Sequence, residues 1–325
     1  MADFQTRRPA PNTLHDLWAP ELHSFYGTWY IYVAAADPGR GNESHRMVVL
    51  RGPTVDQNPL DGPWELIGNI DGLPQTQWQI DGTVVWLNQV PYFVYSGWPI
   101  ADTSGIDRFI QELYIVRLAN AYQADSHPVR ISTPEYEWEK SGEHAINEGP
   151  QYLESPDGRW RGLAYSCGAS WNESYKMNTL RWTGGDPLSP LSWQKAPQPL
   201  LTEAPNTPHA GGPHGPGHGS FITLDHEVFC VYHAIGNLSQ GWEDRPAHVQ
   251  RVSFANGYPE MGGCIGPVVS SVELFTTGFQ SMPGQQQFGQ NITNQSGGHG
   301  NSQGTGHKHL DKFVKLAGDK LQKYF

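Results

Sequence analysis

Ile146-Asn147-Glu148-Gly149-Pro150-Gln151-Tyr152-Leu153 sets a carboxylate between Asn and Gly-Pro, so the backbone turns sharply where an alternating apolar run begins. Such a turn aims a side chain into a cavity. Ser155-Pro156-Asp157-Gly158 follows as a hairpin signal, and Trp160 to Ser166 reads as the return strand. The pattern recurs. Four short apolar runs carry a Tyr: Tyr30-Ile31-Tyr32-Val33, Tyr92-Phe93-Val94-Tyr95-Ser96, Gly162-Leu163-Ala164-Tyr165-Ser166 and Phe229-Cys230-Val231-Tyr232-His233. Their spacings are 63, 70 and 67 residues (95 − 32, 165 − 95, 232 − 165). A unit of that length holds several strands, and radial repetition of four-stranded sheets is a β-propeller. The predicted fold class is therefore all-β.

The repeat also predicts equivalent positions. Fourteen residues before Tyr32, Tyr95 and Tyr232 stand Trp18, Asp81 and His218, while Glu148 precedes Tyr165 by 17, the extra residues falling in the Ser155–Gly158 turn. These four residues are expected on one rung of the first strands, which line the central channel of a propeller. Outer strands are expected at 47–50, 64–68, 112–118, 129–132, 177–182 and 248–254.

Composition agrees with short strands and many turns. Among 325 residues there are 37 Gly and 26 Pro, aromatics reach 12% and charged residues only 16%. A net charge of −11 argues against a nucleic-acid partner, which needs basic clusters. An aromatic-rich, neutral-polar surface suits carbohydrate better. Cys167, Cys230 and Cys264 are too few for a disulfide framework and too scattered for a zinc site, although one bridge is open to them. No run of 18 apolar residues spans a membrane, and the N-terminus shows no secretory signal. The propeller is assigned to residues 1–280. Residues 281–307 are rich in Gly, Gln, Asn and Ser and read as a linker, and 308–325 place Leu310, Phe313, Val314, Ala317, Leu321 and Tyr324 at helical spacing.

Two carboxylates facing each other across a sugar-sized cleft are the basic equipment of glycoside hydrolysis, one protonating the leaving oxygen and the other activating water or attacking directly. Glu148 is the candidate acid, its apolar neighbours raising its pKa, and Asp81 would raise it further by its charge. Each also has a plainer reading, Asp81 as an Asp-Gly turn and Glu148 as a solvated loop acid. His218 is a candidate for an axial role, holding a water or metal, or for structural hydrogen bonding. Trp18, Trp29, Trp78 and Trp98 offer flat faces to sugar rings or to packing.

Several motifs, taken in order, resemble family 43 glycoside hydrolases: Trp18-Ala19-Pro20-Glu21-Leu22-His23, Ile80-Asp81-Gly82-Thr83 with Tyr95-Ser96-Gly97-Trp98, Asn147-Glu148-Gly149-Pro150, and Gly215-Pro216-Gly217-His218-Gly219-Ser220. The resemblance runs over about residues 16 to 265 and is nearest to α-L-arabinofuranosidases and exo-acting arabinanases. It implies a five-bladed β-propeller that hydrolyses by inversion, with Glu148 as general acid, Asp81 tuning that acid, and Trp18, Glu21, His23, Trp98 and His218 lining the sugar site. It also implies a calcium ion or water at the axis near His218 in some members. Plant cell-wall arabinan, arabinoxylan or an arabino-oligosaccharide would be the partner, acted on outside the cell by a monomer. A β-xylosidase is the neighbouring specificity. The family's general base stands in an Asp-Pro strand one blade ahead of the Trp-Ala-Pro-Glu motif. Only Asp3 and Asp16 precede that motif here and Asp37-Pro38 follows it, so four blades are expected to be evident and turnover is in question. A carbohydrate-binding propeller with impaired catalysis is the alternative.

Overall fold

Runs of β-branched and aromatic residues, punctuated by Gly, Pro and Asp-Gly turns, form antiparallel strands almost throughout the computed structural model, which describes residues 14–100, 109–207 and 210–265. The first sheet joins β1 (His15–Phe25), β2 (Thr28–Ala36), β3 (Arg46–Thr54) and β4 (Glu65–Asn69) in chain order. In the second meander β5 (Gln79–Leu87), β6 (Val90–Gly97) and β7 (Ile110–Asn120) pair in turn, and β8 (Gln123–Ala124) and β9 (Val129–Ser132) both pair with β7. The third contains β10 (Lys140–Ser141), β11 (His144–Glu154), β12 (Arg161–Cys167), β13 (Lys176–Trp182) and β14 (Trp193–Lys195). A short parallel contact of β11 with β7 ties it to the second. After β15 (Leu201–Thr202), the fourth meander is β16 (Ala210–Leu224), β17 (Glu227–Asn237) and β18 (Ala247–Val252), and β19 (Gly262–Gly263) returns to pair with β15.

Every strand expected from the sequence is present within a few residues. The expected linker at 281–307 and helix at 308–325 lie outside the described residues. Among the described residues no helix is long and apolar enough to cross a membrane. The bridge left open to the cysteines is not formed: Cys167, Cys230 and Cys264 are free and buried.

Consecutive meanders pack face to face through three apolar cores. Tyr32, Phe93 and Tyr95 lie in the first, Val94, Leu113, Leu163 and Tyr165 in the second, and Ala164, Met177, Cys230 and Tyr232 in the third. Alternate residues of one strand thus serve opposite neighbours, as a sheet buried on both faces requires. A fully buried Val, Leu, Phe or Met side chain among them contributes about 1.5–3 kcal/mol relative to exposure.

The cores correct the repeat at one point. Tyr95, Tyr165 and Tyr232 point back to the preceding meander and donate to side chains, Gln77 Oε1 (2.9 Å), Glu139 Oε1 (2.9 Å) and Gln250 Oε1 (3.0 Å). Tyr32 points forward, and its hydroxyl donates to the Ala121 carbonyl of the next meander. Its structural counterpart in the first sheet is therefore Val33. The first sheet is shifted by one residue from the sequence count, and a one-residue shift in a strand exchanges its faces.

Candidate active site

The first strand of each meander breaks its pairing at a β-bulge, and the four bulges correspond. Ala19-Pro20 stand opposite Val33, Asp81-Gly82 opposite Tyr95, Gly149-Pro150 opposite Tyr165, and His218-Gly219 opposite Tyr232. The first residue of each has positive φ: Ala19 +39°, Asp81 +54°, Gly149 +56° and His218 +48°. A left-handed Ala, Asp or His costs about 1–2 kcal/mol, and such strain accumulates where a side chain must be re-aimed. The expected rung is thus half right. Asp81 and His218 share it, but its other members are Ala19 and Gly149. Glu148 pairs with Ser166 one residue before the bulge, level with Trp18, which pairs with Ala34.

That offset brings Glu148 beside Asp81. The Gly149 N–H donates to Asp81 Oδ2 at 3.0 Å, so Asp81 grips the backbone next to the acid. The His218 ring covers Gly149 from the other side, where an added Cβ would approach it to 3.2 Å. Glu148 and Asp81 are both buried. Burial pushes the Glu148 carboxyl up to about 7, and the Asp81 charge adds to the rise. Tyr175, His218 and Arg245 oppose it, Tyr175 by donating its hydroxyl to Glu148 Oε1 at 2.7 Å. Burial also raises Asp81, while His218, the Gly149 N–H and His45 favour its charged form and Glu21 disfavours it. A hydrogen-bonded relay supports the acid: His218 N–H donates to Ser166 Oγ (2.7 Å), Ser166 bonds to Tyr175, and Tyr175 bonds to Glu148.

Glu21 reaches across from β1. Gln151 Nε2 donates to its Oε1, and His23 Nε2 lies 2.8 Å from its Oε2. Trp18, 40% exposed, stacks on buried His45 with centroids 3.9 Å apart. Trp98 stacks on buried Trp78 at 5.0 Å and packs against the first core, so one face at least is committed to packing. The sequence residues Glu21, His23, Asp81, Glu148 and His218 are thus drawn together, with Trp18 at the edge.

Tyr175 and Arg245 went unnoticed in the sequence. So did a buried support behind the acid strand. Lys195 Nζ lies 2.9 Å from Glu139 Oε1 and 3.3 Å from Asn147 Oδ1, and Asn147 Nδ2 donates to Glu139 Oε1 at 3.0 Å. Ser132 Oγ donates to Asn147 Oδ1 at 2.7 Å. No spacing rule connects such residues.

The neighbourhood of His218 does not fit calcium. Its close ring partner is His233 at 6.5 Å, whose Nδ1 is buried without a hydrogen-bond partner and which burial and Arg245 push down to about 3. Calcium takes six to eight oxygen ligands, and the carboxylates nearest His218 are engaged elsewhere, Asp81 by the Gly149 N–H and Glu148 by the Tyr175 hydroxyl. Among the described residues no group of three His, Cys, Asp or Glu has metal-holding geometry. Of the acids weighed as a base, Asp37 pairs with Arg40 at 3.7 Å in a turn and Asp16 gives its carbonyl to His45 Nε2 at 2.9 Å. Asp3 lies outside the described residues.

Residues 3–259 match the model of glycosyl hydrolases family 43. An extracellular exo-α-(1→5)-L-arabinofuranosidase of Streptomyces avermitilis is 32% identical over 271 residues, 79% of this chain and 52% of that protein. One of the same description from Streptomyces chartreusis is 32% identical over 232 residues, 70% of this chain and 65% of that protein. The chain thus spans half to two-thirds of the length of these relatives. The crystal structure of an α-L-arabinofuranosidase from Lactobacillus brevis superposes with a TM-score of 0.65 at 28% identity, covering 77% of each chain.

Proposed function

We propose that this chain, which belongs to glycosyl hydrolase family 43, releases terminal α-L-arabinofuranose from arabinan or arabinoxylan with inversion. The observation that carries the reading is a buried Glu148 whose carboxyl is held near neutrality beside a second buried carboxylate, Asp81. A carboxyl raised to about 7 keeps a proton to deliver to the leaving glycosidic oxygen at mildly acidic pH. As the C–O bond breaks, the proton moves from Glu148 to that oxygen, and water adds to the anomeric carbon from the opposite face, losing a proton to a base. Asp81 keeps Glu148 protonated and fixes its backbone through Gly149. Glu21, His23, Trp18, Trp98 and His218 are assigned to the sugar. The names of the relatives support arabinose over xylose and action outside the cell. We assign the described residues to four blades of a five-bladed propeller acting as a monomer.

A second reading, a propeller that binds arabinan with impaired turnover, is favoured by the placement of Asp37 in an ion pair with Arg40 within a turn. One experiment separates them. Linear arabinan is incubated with the chain and with Glu148→Gln, and the product is followed by proton NMR. β-L-arabinofuranose appearing first, only with the unsubstituted chain, supports inverting hydrolysis. Binding without product supports the second reading, and the α-anomer appearing first overturns inversion.

A further inference from the structure

Four aromatic rings lie in a continuous row outside the site described above. Phe109 meets His144 with centroids 5.1 Å apart, His144 meets Trp171 at 5.1 Å, and Trp171 meets Trp242 at 5.7 Å, each contact edge-to-face. The row crosses three meanders, from the residue before β7, through the start of β11, to the loops after β12 and β17. Phe109 is 41% exposed, Trp171 37% and Trp242 55%. Packing of the cores does not account for them, since none belongs to a core. The two tryptophan loops are held together: Trp242 Nε1 donates at 3.1 Å to the Oγ of Ser170, the neighbour of Trp171.

Both loops that carry the tryptophans lead to the acid. From Trp171 the chain runs through Asn172, whose carbonyl accepts the Tyr175 N–H at 3.4 Å, and the Tyr175 hydroxyl donates to Glu148. From Trp242, whose carbonyl accepts Arg245 Nε–H at 3.3 Å, the chain reaches the guanidinium that acts on Glu148. Both tryptophans are thus tied, through their own loops, to groups that act on Glu148. In glycoside cleavage the general acid stands on the leaving-group side. The edge-to-face setting leaves parts of the Phe109, Trp171 and Trp242 rings open to solvent, and exposed aromatic surface suits the apolar faces of sugar rings, while an uncharged chain needs no ion pairs there.

We propose that Phe109, His144, Trp171 and Trp242 form a binding track for the leaving portion of an oligosaccharide, a linear chain of neutral pentofuranose units extending away from Glu148. The track rests on the reading of Glu148 as the general acid only for its direction; as a carbohydrate site it stands on the rings themselves.

The test is therefore binding. In the Glu148→Gln chain, calorimetric affinity is measured for L-arabinose and for α-1,5-linked arabino-oligosaccharides of two to five units, with and without Trp171→Ala or Trp242→Ala, and with Trp171→Phe as a conservative control. Affinity should rise with length, and each Trp→Ala change should remove a gain of roughly 3- to 10-fold, the scale of one lost aromatic contact, while Trp171→Phe keeps most of it. An unchanged length dependence in both Ala variants overturns the track, as does a lack of binding to every oligosaccharide. Failure of the hydrolytic reading looks different: binding would lengthen as expected while the unsubstituted chain releases no arabinose.

Discussion

Asp81 Oδ2 accepts the backbone N–H of Gly149 at 3.0 Å, and so one carboxylate is bonded to the residue that follows the other. The two acids come from strands 67 positions apart (148 − 81) and are brought together by matching bulges rather than by local sequence. Because Asp81 is anchored to backbone, its charge sits at a fixed place beside Glu148 and raises the Glu148 pKa.

Asp81→Asn therefore moves the upper limb of the pH–rate profile to lower pH. The Asn carbonyl still accepts the Gly149 N–H, so geometry is kept while the charge is lost. Hydrolysis of arabinan measured from pH 4 to 9 checks this, and an unmoved limb removes Asp81 from the site.

Tyr175→Phe moves the same limb the other way. The hydroxyl donates to Glu148 and favours its ionised form, so its removal lets the carboxyl rise above about 7. Opposite shifts for the two variants are the signature of a single titrating group at Glu148. Shifts in the same direction contradict it.

Stability should carry the same mark. The Glu148 carboxyl titrates at about 7 when folded against an ordinary 4.5, so the folded chain binds the extra proton and loses stability as pH rises from 4.5 through 7. Gln cannot ionise. Glu148→Gln is expected to gain stability over the unsubstituted chain across that window, by on the order of 3 kcal/mol at pH 8, with no further gain above it. Denaturant unfolding at pH 4, 6 and 8 reads the difference, and a pH-independent difference refutes a raised Glu148.

Much of this was legible in the sequence. The Tyr runs gave the strands, and the turn at Asn147-Glu148-Gly149-Pro150 marked the bulge beside which Glu148 is buried, because turn chemistry and alternation are local. The register of the first sheet was not, since Tyr32 and Val33 are both apolar and nothing nearby tells which of them faces the second meander. Tyr175 was also hidden. It acts on a residue 27 positions away from a loop, and no period reaches it. The ion pair of Glu139 with Lys195 spans 56 positions for the same reason.

That ion pair yields a stability prediction of its own. Lys195 is 7% exposed and Glu139 fully buried, and the Lys195 charge helps to hold the Glu139 carboxyl below its usual range. Lys195→Met leaves that carboxylate with its hydrogen bonds but without its counter-charge and should cost about 3–5 kcal/mol, against less than about 1 kcal/mol for Arg51→Met in the exposed pair with Glu65. Chemical denaturation of both variants at pH 7 measures the contrast, and equal losses would show that burial does not govern these pairs.

The most direct test of the general acid is leaving-group dependence in Glu148→Gln. Linear arabinan has a poor leaving group that needs Glu148's proton, whereas the 4-nitrophenolate of an aryl α-L-arabinofuranoside departs without one. A general acid at Glu148 predicts a loss of about 10²–10⁴-fold in kcat/KM on arabinan and a far smaller loss on the aryl substrate. Equal losses on the two substrates would contradict it.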